Sequence, residues 1–489
     1  MAQCTAIIDI GSNSMRMAVI QKTSRFAFHI IHEVKSSVRL GEAAYTNGGK
    51  LQESAMDRAS SALGEFLLIA RSFKARKILC VATSALRDAP NATEFITHIR
   101  KEYSLSIKVI DGAREAYLGG MACANLLPPM NAISVDVGGG SSEFAQMSNS
   151  GVDKMFSLDI GTVRLKELFM DRGDIEGAIR YIDDALNTLP FESTQILVGV
   201  GGTFRALTRS LMKKEECPLK KLHGYSYTKE VFEAFTDAII EASPKKLKSL
   251  HIKLDRFDTI KPGALILQRI ANHLNVQKLV CSGVGVREGV YLSDLLRNAK
   301  DRFPQNYNPS LRYLLDTYAT FSNHSVECSA LAKRLFTLLH VHLDLPVSSR
   351  TQLVMAAKLL PIGLGIRYYA YQKHSHYLAL NGLNYGLTHS QIALVSHLLL
   401  FKKGHTSSDL IPKNGYGSLL PSNQILNGLY TILWLSHILL AQRSSAESLA
   451  LSFLDGQLTV TGKDLYLAHE QLKNLPLPPQ LSIQLRDNA

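Results

Sequence analysis

The chain has 489 residues, 46% hydrophobic and 20% charged, which excludes a disordered polymer and is enough for about three domains at roughly 150 residues each. Lys plus Arg number 54 against 42 Asp plus Glu, a net charge of +12, so polyanions are the favoured partners: polyphosphate, nucleotides, nucleic acid or an anionic membrane surface. No basic run is interleaved with aromatic residues, which makes a specific nucleic acid the weakest of these.

Six cysteines without a CxxC pairing read as reduced core residues. The first residues lead straight into a strand with no signal region, and the most apolar segment, Tyr430 to Ala441, is too short to span a bilayer. The expected location is cytoplasmic, with no transmembrane segment.

In chain order, Thr5–Ile10, Met15–Gln21 and Phe26–Val34 read as strands. The first two are joined by Gly11-Ser12-Asn13-Ser14 directly after Asp9. Residues 52–73 carry Ala55, Ala59, Ala62, Leu63, Phe66 and Ala70 at helical spacing. Lys77–Ala82 is a buried strand followed by Thr83-Ser84-Ala85-Leu86-Arg87. A guanidinium beside two hydroxyl residues at a strand end suits phosphate; the plainer reading is a surface arginine. Ala92–Tyr103 reads as a helix and Ser106–Ile110 as a strand. Asp111 then caps a helix running from Ala113 to about Leu127. Glu115 sits on its first turns, where a solvated glutamate favouring the helix dipole is the plainer reading.

The order repeats from residue 132. Ala132–Val137, Ser142–Met147 and Val152–Leu158 are strands, and the first two flank Asp136-Val137-Gly138-Gly139-Gly140-Ser141-Ser142-Glu143. Glycines let backbone N–H groups approach an anion, Ser141 adds a hydroxyl, and Asp136 and Glu143 face one turn, a set suited to metal-bound phosphate. The two carboxylates can instead cap the turn and pair with Lys or Arg. The Asp9 turn is a diluted copy, a domain's length earlier; Asp9 is a third metal ligand or bonds its own turn. Helices at Val163–Phe169 and Ile175–Leu186 precede a strand, Gln195–Val200, that ends in Gly201-Gly202-Thr203 before a helix from Phe204, a second anion site. Lys278–Cys281 is a strand and a helix then runs to Leu296. The basic residues Lys245, Lys246, Lys248 and Arg256 either guide a polyanion or form a solvated face.

A polar linker near Phe303–Pro309 separates a third region, predicted to be all-helical, which holds ten of the sixteen histidines.

Six segments in this order resemble the exopolyphosphatase / guanosine pentaphosphate phosphohydrolase (Ppx/GppA) family: those around Asp9, Arg87 and Glu115, the glycine-rich Asp136–Glu143 segment, Gly199–Thr203, and Ser282-Gly283-Val284-Gly285-Val286-Arg287-Glu288-Gly289. The resemblance covers essentially the whole chain. It implies an α/β architecture of two actin-like (ribonuclease-H-like) domains, 1–126 and 127–302, followed by a helical HD-like domain, 303–489. It also implies a Mg²⁺-dependent attack of water on a terminal phosphoryl group. Glu115 would be the base and Asp136 and Glu143, with Asp9, the metal ligands. Phosphate would be held by Arg87, by Gly11, Ser12, Asn13 and Ser14, by Gly138, Gly139, Gly140 and Ser141, and by Gly201, Gly202 and Thr203. The expected ligands are inorganic polyphosphate and guanosine penta- and tetraphosphate, in a homodimer. Release of terminal phosphate from polyphosphate is the leading reading. The alternatives are guanosine pentaphosphate hydrolysis as the main activity, or a non-catalytic switch binding ATP, polyphosphate or an alarmone.

The third domain departs from the His-Asp pattern. His324 fits the first ligand position, but Leu360-Pro361 replaces the His-Asp pair and His437 stands at the later Asp position. His374 and His376 remain without carboxylate partners, which favours a structural role: closing the cleft, dimerising or offering basic surface.

Overall fold

The computed structural model describes residues 3–44, 46–149, 151–319, 322–412 and 415–487. It divides into two compact units, Met1–Tyr307 and Asn308–Ala489.

The first unit holds two sheets. β1 (Gln3–Ile10), β2 (Met15–Lys22), β3 (Phe28–Ser36), β4 (Lys77–Ala82) and β5 (Ile107–Val109) pair in the order β3-β2-β1-β4-β5. β6 (Ala132–Val137), β7 (Ser142–Ser148), β8 (Gly151–Leu158), β9 (Ile196–Val200), β10 (Ser226–Thr228) and β11 (Lys278–Cys281) pair in the order β10-β11-β9-β6-β7-β8. Each sheet starts with an antiparallel meander and then adds parallel strands through helical crossovers beside its first strand. This duplicated order is the actin-like (ribonuclease-H-like) arrangement. The central strands β1 and β6 are almost continuously apolar because both their faces are covered; the polar exceptions in their C-terminal halves are Asp9 and Asp136.

Ladder register sets the charged pairs. Asp9 lies opposite Arg16 across β1 and β2, and Asp136 lies opposite Glu143 across β6 and β7. The two meanders are therefore alike in backbone and unlike in charge.

Two helices cross between the sheets. Gly112–Leu126, which the sequence places with the first domain, packs on β7 and β8; Val286–Leu295, placed with the second, packs on β1 and on Gly112–Leu126. A Cβ at Gly289 would lie 2.1 Å from the Leu118 carbonyl oxygen, and one at Gly120 would lie 2.5 Å from the Ala145 Cβ. These glycines permit backbone approaches that any side chain would block.

The second unit is largely helical, with Trp434 fully buried on the Asn423–Leu439 helix. The all-helical expectation needs one correction. β12 (Ala450–Leu454), β13 (Gln457–Gly462) and β14 (Ser482–Asp487) form a sheet in the order β12-β13-β14. Asp455 and Gly456 join β12 to β13 with φ of +47° and +79°, the positive pair that a tight hairpin demands and that Asp-Gly supplies. Among the described residues no helix is long and apolar enough to cross a membrane.

Candidate active site

The two glycine turns face each other. In the first, the Gly11 N–H donates to the Ser14 carbonyl at 3.3 Å; in the second, the Gly138 N–H donates to the Ser141 carbonyl at 2.9 Å. A Cβ at Gly139 would come 2.9 Å from the Ser12 Cβ, so the turns touch at their tips. Ser12 Oγ is also 3.0 Å from Ser84 Oγ, which ties the first turn to the segment after β4. The Thr162 and Val163 amides donate to the Gly138 and Gly139 carbonyls at 3.0 and 2.8 Å. Those bonds occupy the turn's carbonyls.

Between the turns lies a cleft of about 140 Å³. Gly11, Ser12, Asn13 and Ser14 line one side, and Gly138, Gly139 and Ser141 another. The N-terminus of the Gly201–Lys214 helix contributes Gly201, Gly202 and Thr203. Gly201 is required here, since its φ is +82° and a Cβ would lie 2.1 Å from Asp136 Oδ1. Asp9, Asp136 and Glu115 also line the cleft.

Three of the expected residues are set back from this lining: Arg87, Gly140 and Glu143. Arg87 Nη1 donates to Glu115 Oε2 at 3.0 Å and Nη2 donates to Ser141 Oγ at 3.3 Å. It thus holds one base candidate and one turn residue. The Gly140 carbonyl accepts from Arg164 Nε at 2.9 Å. Glu143 is buried and accepts from Ser157 Oγ at 3.1 Å.

Burial dominates the acid chemistry. It pushes the Glu115 carboxyl well above the ordinary range, Glu143 adds like-charge repulsion, and Arg87 pulls the other way. Glu143 is raised in the same manner, with Asp136 adding to the effect. Burial raises Asp136, opposed by Arg205 and Arg16. It also raises Asp9 to about 6, opposed by Arg287 and reinforced by Asp136.

Sequence reasoning missed most of the cations. Arg16, Arg205, Arg256 and Arg287 all line the cleft. Burial, with repulsion from Arg205, Arg287 and Arg256, lowers Arg16 to about 10. Burial alone would lower Arg287 too, but Glu288 and Glu33 outweigh it and raise its proton affinity; its Nη2 is 2.8 Å from Glu33 Oε1. Alternation from Ser14 along β2 marks Arg16, and Arg287 lies inside one of the glycine segments; their convergence needs the fold. Arg256 reaches the cleft, whereas Lys245, Lys246 and Lys248 are exposed.

A divalent cation fits this donor set in one manner only. Among the described residues no group of three or more His, Cys, Asp or Glu side chains converges as a metal cage. Yet Asp9 and Asp136 both face the cleft, and Asp136 raises the proton affinity of Asp9 and of Glu143 behind it, a like-charge repulsion between buried carboxylates that a cation relieves. Mg²⁺ is commonly held by one or two carboxylates, with waters and substrate phosphates completing its shell.

In the second unit, His324 Nε2 lies 3.1 Å from His437 Nδ1, and His437 Nε2 lies 3.2 Å from the Tyr371 hydroxyl. Burial holds His437 near about 3 and His324 near about 4, so both rings are neutral at ordinary pH. His376 Nδ1 is 2.9 Å from the Ser396 carbonyl oxygen. Leu360 and Pro361 are buried in a 3₁₀ turn.

The profile of the Ppx/GppA phosphatase family matches residues 18–298, and that of Ppx/GppA phosphatase domain III matches residues 310–478. The chain is similar to the crystal structure of the Aquifex aeolicus member of the Ppx/GppA protein family, at 28% identity and a TM-score of 0.53, covering 61% of this chain and 99% of that one. It is also similar to an exopolyphosphatase from Cytophaga hutchinsonii, at 25% identity and a TM-score of 0.54, covering 60% of this chain and 98% of that one.

Proposed function

The chain belongs to the Ppx/GppA phosphatase family, and on that premise we propose that it hydrolyses the terminal phosphoanhydride of inorganic polyphosphate, with guanosine pentaphosphate as a further substrate. The observation that carries this reading is the convergence of four guanidiniums, Arg16, Arg205, Arg256 and Arg287, on a cleft walled by two touching glycine turns and Glu115. Like charges that repel one another at close range favour a multiply charged anion between them. The cleft narrows to about 140 Å³, room for the end of a phosphate chain.

In this reading the turn amides of Gly11–Ser14 and Gly138–Ser141, with Gly201, Gly202 and Thr203, bind the terminal phosphoryl oxygens. The N-terminus of the Gly201–Lys214 helix adds its dipole to that anion site. Asp136 and Asp9, with Glu143 behind, would hold Mg²⁺, which when bound neutralises phosphate charge. Glu115 takes a proton from the attacking water as its oxygen bonds to phosphorus. The bridging P–O bond breaks on the opposite side, and its electron pair leaves with the shortened chain. Arg87 keeps part of Glu115 in the ionised form that accepts the proton. Positioning and charge neutralisation provide most of the rate in such transfers.

A domain split at 126/127, with its two crossing helices, and a homodimer belong to the same proposal. The test is the initial rate of phosphate release with Mg²⁺ from long polyphosphate and from guanosine pentaphosphate, side by side. Faster turnover of polyphosphate is expected; release only from guanosine pentaphosphate assigns that nucleotide instead, and release from neither overturns the reading.

A further inference from the structure

A second groove, of about 630 Å³, opens at the end of β1 opposite the cleft. Lys22 and Arg25 line it from the end of β2 and the loop beyond, Arg76 and Lys77 from the start of β4, and Arg297 from beyond the Val286–Leu295 helix. Against these five cations the lining has one acid, Asp294. It is already paired with Lys77 and, at 3.0 Å, with Arg297 Nη1.

Tyr291 also lines the groove. It is 3% exposed, and among the described residues its hydroxyl has no hydrogen-bond partner. A buried hydroxyl left unpaired costs stability, and an oxyanion accepting from it would remove that cost. Phe26 also lines the groove, with the Arg25 guanidinium carbon 4.9 Å from its ring centroid.

We propose that this groove is a second anion site that takes a phosphate chain, from an inorganic polyphosphate or a nucleoside triphosphate. The surplus of cations calls for several negative charges, and the Tyr291 hydroxyl calls for an acceptor oxygen. The groove is too basic for a cation. The Val286–Leu295 helix joins the two places: Val286, Arg287 and Glu288 line the cleft, and Tyr291, Asp294 and Leu295 line the groove. The inference concerns binding alone and does not rest on the hydrolytic reading.

The test is calorimetric titration of inorganic tripolyphosphate into the full-length protein without divalent cation, at about 0.15 M salt, where distant charges are screened. The expected result is a binding component weakened about tenfold or more in R25E/R76E and preserved in Arg205→Ala, which alters only the cleft. Tyr291→Phe deletes one hydroxyl and nothing else, so it keeps the test open should the charge reversals perturb folding; it is expected to weaken the same component severalfold. Thermal midpoints verify that each variant is folded. Unchanged binding in either folded variant overturns the proposal. GTP in place of tripolyphosphate separates the sources: tighter binding to the groove assigns a nucleoside triphosphate, and equal or weaker binding assigns an inorganic chain.

Discussion

Arg87 Nη1 lies 3.0 Å from Glu115 Oε2, and the same guanidinium reaches Ser141 Oγ at 3.3 Å. Burial raises the proton affinity of Glu115, and Arg87 is the cation that opposes it. Removing the cation therefore raises that affinity further, so the base form exists only at higher pH. Arg87→Gln is expected to shift the ascending limb of the kcat/KM–pH profile to higher pH and to slow turnover at neutral pH by about 10–100-fold. A uniform loss with no shift of the limb would mean that Arg87 acts on phosphate directly.

Asp9 makes stability depend on pH. Its folded-state pKa, about 6, lies above the ordinary 3.8, so the folded chain holds the proton more tightly than the unfolded one. Metal-free stability from this group is therefore highest below pH 3.8, falls as pH rises through about 6, and stays low above it. Asp9→Asn is expected to stabilise the metal-free protein at pH 8 by about 1–3 kcal/mol and to match the wild type near pH 4. Denaturant unfolding at both pH values measures this; destabilisation at pH 8 would show that its contacts with Arg287 and Arg16 outweigh burial.

The contact between the turns is tested by one methyl group. A Cβ at Gly139 meets the Ser12 Cβ at 2.9 Å, closer than carbon atoms sit without movement. Gly139→Ala has to part the two tips while leaving both sheets folded. Loss of about 10–100-fold in kcat/KM with little change in thermal midpoint is expected, because small misplacements of reacting groups are costly. Full activity would mean that the tips act independently.

Much of the site was legible because glycine runs at strand ends have few physical uses. Asp9, Gly11–Ser14, Asp136, Gly138–Ser141 and Gly201–Thr203 all announce themselves by order along the chain. Most of the arginines did not. Arg256 stood out only as one of a basic group, Arg205 sits on a helix where charge is common, and only the fold aims them into one cleft. The reading of Arg87 as a direct phosphate contact left out its bond to Glu115, because residues 28 apart in sequence give no local sign of pairing. The crossing of Gly112–Leu126 and Val286–Leu295 was equally hidden: each helix follows the strands of one sheet and packs on the other. The hairpin at Asp455-Gly456 was legible in principle, since Asp-Gly between alternating residues is a strong turn signal, but the surrounding helical periodicity masked it.

The hydrolysis proposed here depends on Glu115, 8% exposed at the cleft wall, removing the proton from the attacking water. Single-turnover phosphate release from polyphosphate by Glu115→Gln, with chain binding measured on the same sample, tests this role. Binding close to wild type is expected, with release slowed by about 100–10,000-fold. Release at the wild-type rate would contradict it.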